Sequence, residues 1–461
     1  MGGAQKKIQF GLLFLLSFSF SNVCIASKKP WLVGIRGYEA KTQSYSETIE
    51  SKILPTKTTE FSNGNTFVRF LKNPINQKLT LYIPNNIEDH DDLLMEALIK
   101  VRTAKTMGAL SISVHFESES LPSTFVLKLF KISGAESYRI ANQDYDFPEY
   151  QTKTKNFKKK FAIVGDTNPS LRDTLSKQLN IPVIQESEWN PNNKKLSGYN
   201  IFYVSSLESP INKSFFDTLH KIYSTQSKWQ QVHLISPYLP YARSDKIDQF
   251  GITVTGRLTA DLIEGLGVKT ITIVRPHAPQ SVGFFSIPVF EINGRETINK
   301  ELKKLGVSII VSPDAGFQKD ATLYAEELHL PLAIINKKRN PLTGETRILG
   351  ISGDSVKGHT VAIVDDETAS GGTLAESAEF LKKHGANKIF GVVSHLAGNA
   401  QKAIDSPDID LMVVTNSFNI TQPDISVLNL GFEISETLQS VFSGEKKTPL
   451  CKTLFIRRKI K

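Results

Sequence analysis

From about residue 160 onward, short β-branched apolar runs alternate with amphipathic stretches, and that order restricts the fold more than any other feature of the chain. "FAIVGD", "YNIFYVSS", "QVHLISPY", "KTITIVRP", "VSIIVSPD", "LPLAIINKK", "HTVAIVDD", "KIFGVVSHL" and "DLMVVTNSF" read as strands. "TGRLTADLIEGLG" and "TLAESAEFLKKHGA" read as helices between them. Strands that alternate with helices build parallel sheets with helices packed on their faces, so the fold class expected is α/β. Ligands in such sheets sit beyond the carboxyl ends of the strands, and polar residues follow each run here.

The earlier part of the chain repeats the same order. "FSNGNTFVRFLKNPINQKLTLYIPNNIEDHDDLLMEALIKVRTAKTMGALSISVHF" passes from a polar turn to a strand, a long helix and another strand. So does the stretch from "ESEWNPNNKKLSGYNIFYVSSL" to "QQVHLISPYLPYAR", and "LFKISGAESYRIAN" parallels "LIEGLGVKTITIV". This is a diverged repeat, with units expected at 28–150 and 160–295 and a third domain at 296–445. The polar, Lys-rich "DFPEYQTKTKNFKKK" between the units reads as a solvated linker. At 461 residues the chain has room for about three domains.

The N-terminus follows other rules. Lys6 and Lys7 precede "IQFGLLFLLSFSF", too short to cross a bilayer comfortably, and "CIAS" offers small residues for cleavage near Ala26. Residues 1–27 are expected to be a secretory signal peptide, which directs the chain to the secretory pathway or to export and leaves no membrane span after its removal. Cys24 lies inside that leader, so the mature chain keeps only Cys451, with neither an intrachain disulfide nor a thiolate metal cluster. The net charge of +9 is compatible with anionic partners without choosing among them.

"TVAIVDDETASGGTLAESAEFLKKHGA" carries the most chemistry. Asp365 and Asp366 stand at the end of a buried strand, where carboxylates can grip a sugar diol. Ser370, Gly371, Gly372 and Thr373 then bring bare N–H groups and hydroxyls to a helix N-terminus, which favours phosphate. A phosphorylated ribose meets both requirements across one loop.

"VDDETASGGT" resembles the ribose-5-phosphate loop of type I phosphoribosyltransferases and of ribose-phosphate pyrophosphokinases (phosphoribosyl pyrophosphate synthetases). "PYLPYARSDK" is similar to the latter's "PYxxYARQDR" ATP segment and "VRPHAPQSVGFFSIPV" to their "DLHxxQIQGFFDIPV". "VSPDAGFQKDA" resembles their pyrophosphate loop and "LAIINKKRNP" the start of their flexible catalytic loop. The resemblance favours the pyrophosphokinases over simple transferases, and implies tandem type I phosphoribosyltransferase-like domains that transfer pyrophosphate from ATP to ribose 5-phosphate. It also implies roles: Lys337 and Arg339 as the catalytic pair in a loop, Arg243 and Ser244 at ATP, His277 and Asp314 at Mg²⁺, and the acid pair with Ser370 to Thr373 at ribose 5-phosphate. Nucleic acid is not an expected partner.

Several positions depart from the family pattern. Its "FSDGE" loop, which helps hold ATP and in homo-oligomers comes from a neighbouring subunit, is "EWNPNN" (Glu188 to Asn193) in the second repeat and "FSNGN" (Phe61 to Asn65) in the first. The first repeat also reads "HFESES" where "YAR" would stand, so it is expected to have lost its own ATP site and to act as a built-in pseudo-subunit that offers Phe61 in cis. The expected assembly is a homo-oligomer or this internal pseudo-dimer. Arg275 replaces an acid, Phe317 a Gly, Ala369 an Asp and Ser244 a Gln. A side chain at 317 is expected to crowd the approach of phosphate to the backbone. These departures leave two alternatives: a catalytically inactive homologue that binds nucleotide or regulates a partner synthetase, or a phosphoribosyltransferase that consumes the product. Export also conflicts with a need for ATP.

Overall fold

The computed structural model describes residues 29–442 apart from positions 62, 86, 119, 141–142, 149–159, 166, 186–187, 189–197, 226–229 and 340–345. The proposed leader, both cysteines, most of "EWNPNN" and most of the Lys-rich linker lie outside the described residues.

The first repeat runs β1 (Trp31–Val33), α1 (Glu39–Thr48), a hairpin of β2 (Thr56–Glu60) and β3 (Thr66–Phe70), β4 (Lys78–Ile83), α2 (Asp91–Thr106), β5 (Ser111–Phe116), α3 (Thr124–Ser133), β6 (Ser137–Ile140) and β7 (Gln143–Asp146). Its sheet has the order β1-β4-β5-β6-β7, parallel except for β7. The second repeat runs β8 (Lys160–Val164), α4 (Pro169–Leu179), β9 (Tyr199–Val204), α5 (Ile211–Thr225), β10 (Gln231–Ile235), α6 (Thr255–Gly265), β11 (Val268–Val274) and β12 (Val289–Ile292), with all five strands parallel in sequence order. Even the isolated bridges correspond, Leu32 with Ile53 and Ile163 with Val183.

The two repeats face each other through like elements. α2 packs on α5 and α3 on α6. Asp92 and Asn212, each the second residue of its helix, meet at 2.6 Å. This is the geometry of a self-complementary two-fold interface, here made within one chain. A single hydrophobic core runs across it, from Leu98 and Phe130 to Phe215 and Leu262, and each such fully buried apolar side chain contributes about 1.5–3 kcal/mol. The hairpin β2–β3 reaches over to the second repeat: Phe70 N donates to Gly251 O at 2.6 Å, and Asn212 Nδ2 donates to Thr66 Oγ1 at 3.1 Å. Tyr241 OH donates to Asn212 Oδ1 at 2.5 Å and accepts from Thr66 N at 3.3 Å.

The C-terminal part contains α7 (Arg295–Lys304), β13 (Ile309–Ser312), α8 (Gln318–Leu328), β14 (Leu332–Arg339), β15 (Thr346–Gly353), β16 (Thr360–Thr368), α9 (Gly372–Lys383), β17 (Lys388–Leu396), α10 (Gln401–Ile404), β18 (Leu411–Thr415), β19 (Ile425–Leu428) and α11 (Gly431–Phe442). Its seven-stranded sheet, β15-β14-β13-β16-β17-β18-β19, is parallel but for β15. β16 and β17 are buried on both faces, which explains their unbroken apolar runs. The last helix leaves this sheet: Leu430, Ile434 and Leu438 of the α11 segment pack with Ile163, Leu171 and Phe202 of the second repeat. Among the described residues no helix is long and apolar enough to cross a membrane.

Candidate active site

β16 is apolar from Val361 to Val364 and then carries Asp365, Asp366 and Glu367 on its carboxyl-end stretch, still paired with β17. Gly371, at φ +82°, turns the chain into α9; a Cβ there would lie 2.5 Å from Ala403 N, so the turn requires glycine. The acid pair and Ser370 to Thr373 thus line one cavity of about 600 Å³. The second repeat supplies the opposite wall with Arg243, Arg275 and His277, and Asp314, Lys319 and Arg295 complete it.

Burial and the neighbouring Asp366 push the Asp365 carboxyl well above its usual range. Burial is the largest single effect on Asp366 and raises it, but the His277 hydrogen bond and charge, with Asp365 and His395, together outweigh it and hold Asp366 down to about 2. His277 Nδ1 lies 2.6 Å from Asp366 Oδ2, and this bond raises the imidazole above its ordinary value against the effect of burial. The adjacent acids are therefore pushed in opposite directions, Asp365 toward the protonated form and Asp366 toward the ionised form, and both face the cavity.

Lys337 does not line this cavity but hydrogen-bonds to α9 next to it. Its Nζ donates to Ser377 Oγ at 3.0 Å and to Thr373 O at 3.4 Å, on the first turns of α9. Burial lowers its pKa, opposed by Glu376, Asp314 and Asp365. The expected catalytic loop is corrected in one respect: Lys337 and Arg339 lie on β14, paired antiparallel with β15, because "TRILGISG" forms a strand that extends the ribbon. The side chain of Arg339 and residues 340–345 lie outside the described residues.

Other expected residues are placed differently. Arg243 lines the cavity but pairs through Nε with Glu367, a buried carboxylate. Ser244 is absent from the lining; its Oγ accepts from Thr255 N at 3.0 Å and helps start α6. Phe61 is 55% exposed, its ring 5.7 Å from Phe67, and it does not line the cavity. Phe317 lines the cavity beside the turn. Its ring is buried with Ile298, Ile310 and Tyr324, and the Arg275 guanidinium lies 4.9 Å above it.

Among the described residues no three metal-ligating side chains converge. Asp314 Oδ1 accepts from Gly316 N at 2.8 Å and Phe317 N at 3.1 Å, and His277 is engaged by Asp366. The donor set fits a hard cation held mainly by water and substrate oxygens, with one carboxylate from the protein.

Sequence reading missed Glu367, Arg295 and Lys319 in the cavity and His395 behind it. Glu367 was visible as the acid next to the pair. His395 was not, since only its position on β17 brings Nε2 to 2.9 Å from Val274 O and 3.1 Å from Arg275 O.

Residues 162–267 match the N-terminal domain of ribose phosphate pyrophosphokinase, and residues 288–425 match the phosphoribosyl transferase domain. Both matches lie C-terminal to the first repeat. A ribose-phosphate pyrophosphokinase of Marinomonas sp. (strain MWYL1) is 30% identical over 312 residues, covering 62% of this chain and 97% of that protein. Ribose-phosphate pyrophosphokinase A of Dictyostelium discoideum is 34% identical over 229 residues, covering 48% of this chain and 72% of that protein. The crystal structure of phosphoribosylpyrophosphate synthetase from Mycobacterium smegmatis superposes with a TM-score of 0.55 at 26% identity, covering 62% of this chain and all of that one. With nearly the whole of one such enzyme aligned and the acid-pair loop in its expected cavity, the chain belongs to the ribose-phosphate pyrophosphokinase family.

Proposed function

We propose that the chain is a ribose-phosphate diphosphokinase that makes phosphoribosyl pyrophosphate and AMP from ribose 5-phosphate and ATP, and that the cavity between the second repeat and the C-terminal sheet is its active site. The supporting observation is that the acid pair and the glycyl turn at the start of α9 line one cavity with Arg243 and His277, while Lys337 donates to Thr373 O and Ser377 Oγ beside it.

In this reading Ser370 to Thr373 hold the 5-phosphate at the N-terminus of α9. Asp365 and Asp366 orient the ribose diol. The anomeric hydroxyl attacks the β-phosphorus of ATP, the bond to the α-phosphate oxygen breaks, AMP leaves, and the hydroxyl proton passes to solvent or a nearby base. Such a transfer is governed by alignment and by cations placed where charge gathers. Lys337 and Arg339 would supply that charge beside the transferring group, and Arg243, released from Glu367, would meet ATP. Mg²⁺ would be held by Asp314, with His277 directly or through water, and would neutralise phosphate charge when bound.

Purified mature protein with ATP, ribose 5-phosphate and Mg²⁺ should form AMP only when the pentose is present. Nucleotide binding without turnover would point instead to an inactive regulatory homologue, and turnover of phosphoribosyl pyrophosphate with a base to a transferase. We also propose that residues 1–27 act as an export leader; a fluorescent fusion carrying the first 30 residues that stays in the cytoplasm would reject it.

A further inference from the structure

Arg275 and Phe317 were separate oddities in the sequence, and in the folded chain they are one assembly. Arg275 follows β11, on the second repeat, and Phe317 precedes α8, on the C-terminal domain. The guanidinium sits 4.9 Å from the Phe317 ring and 5.3 Å from that of Tyr324. Arg275 Nη1 donates to Tyr324 OH at 3.0 Å, and Nη2 lies 2.8 Å from Asp320 Oδ1. Every side-chain partner of Arg275 named here comes from α8 or its N-cap.

The backbone of Arg275 is held as firmly. Its φ is +35°, a conformation costly for a residue with a Cβ, and it persists only where the surroundings fix it. Arg275 N donates to Ile292 O at 2.9 Å, and Arg275 O accepts from His395 Nε2 at 3.1 Å. This strained position lies two residues from His277 and lines the cavity wall. The residue is only 6% exposed, so it acts on a ligand through α8 and through its fixed charge more than by direct contact.

We propose that Arg275 is a positioning residue: stacked on Phe317, it fixes the turn Ser312–Phe317 and the N-terminus of α8 against the second repeat, so that α8 and Lys319 receive the diphosphate being transferred. The inference rests on the reaction proposed above. Phe317 provides the seat for the guanidinium, and Asp320 and Tyr324 hold its charge.

The test uses the full mature chain and equilibrium calorimetry, with inorganic pyrophosphate and ribose 5-phosphate as separate probes. Arg275→Gln should weaken pyrophosphate binding about tenfold or more while ribose 5-phosphate binding stays within about twofold. Arg275→Lys should recover part of the loss, and adding Phe317→Gly to Arg275→Gln should weaken binding little further, since both act as a unit. Tyr324→Phe, which keeps the charge and removes its hydroxyl partner, should weaken pyrophosphate about threefold and serves if Arg275→Gln does not fold. Wild-type pyrophosphate affinity in Arg275→Gln, or in Tyr324→Phe where that variant is the one that folds, would overturn the inference. So would equal loss of both probes, or no pyrophosphate binding by the wild type. Because no turnover is required, a wild type that makes no AMP ends the proposed reaction without deciding the role of Arg275, which the binding data decide separately.

Discussion

The two repeats share a frame and differ at their carboxyl-end loops and outer faces. In the first, residues 117–123 pass directly from β5 to α3; in the second, residues 236–254 separate β10 from α6 and carry Tyr238, Tyr241 and Arg243. The outer face of the second sheet is covered by α11, whose Phe442 stands against Phe161, Phe202 and His233. The outer face of the first is closed more simply, by Tyr45 of α1 stacked 4.5 Å from His115 beside Tyr82. What the repeats retain is the surface by which each covers the other. A duplicated domain can lose a ligand loop and keep its fold as long as its apolar helices remain paired, and here the α2–α5 and α3–α6 contacts preserve that pairing.

If all chemistry belongs to the second repeat and the C-terminal sheet, Lys337→Ala gives the largest effect. Turnover should fall about a thousandfold, roughly 4 kcal/mol of barrier, with little change in unfolding midpoint, while Glu117→Gln in the first repeat's short loop should leave kcat/KM within about twofold. A first-repeat variant with the larger defect would break the comparison. Next comes the seam between repeats. Gly251 has φ +84°, and a Cβ there would lie 1.9 Å from Phe70 O, so Gly251→Ala must part the hairpin from the second repeat. Stability should fall by about 3 kcal/mol in urea unfolding, and an unchanged midpoint would show that the hairpin is only loosely attached.

Legibility followed the same division. Most strands of the second repeat and of the C-terminal domain, though not β12 or β19, were readable because burial on both faces leaves nearly continuous apolar runs, as in "TVAIV" and "KIFGVV". β7 was not, since Gln143–Asp146 is exposed along its length and leaves no apolar trace. β15 was hidden because Lys337 to Arg339 look like loop residues until the pairing of Asn336 with Gly350 and Lys337 with Ile348 draws them into a ribbon. The acid-pair loop was legible because strand, acids, glycines and helix are contiguous. Arg275 with Phe317, and His395 with Val274, depend on domain packing between residues far apart in sequence, which no local pattern records.

Each repeat also buries a histidine on the third strand of its main sheet, β5 and β10, and the comparison predicts unequal responses to acid. Burial lowers His233 to about 4; its Nδ1 lies 3.0 Å from Thr270 Oγ1, and its Nε2 has no hydrogen-bond partner among the described residues. Burial lowers His115 as well. The native state prefers both neutral, whereas the unfolded chain takes up protons near pH 6.5. The stability they contribute is therefore full above pH 6.5 and is lost as pH falls, for His233 down to about 4, costing about 2 kcal/mol by pH 5. Urea midpoints at pH 7 and 5 should converge more in His233→Gln than in His115→Gln. Equal changes would mean that the two faces are electrostatically alike.

The smallest effect probes whether the first repeat contributes anything beyond packing. Its hairpin tip is joined to the loop of residues 236–254: the Asn63 side chain meets Tyr238, and Thr66 meets Tyr241. Phe61 stands at that tip, 55% exposed, where an aromatic face is available to a nucleotide bound along residues 238–244. Since Phe61 already contacts Phe67 and makes no contact with the cavity wall, truncating it should leave the fold and the ribose seat intact. Phe61→Ala is expected to raise the Kd for ATP about fivefold, near 1 kcal/mol, and to leave ribose 5-phosphate affinity unchanged. Identical ATP affinity in the two proteins would reduce the first repeat to a cover for α5 and α6. A loss for both ligands would mean that the tip acts through the Tyr238–Glu367 contact on the whole cavity rather than on nucleotide alone.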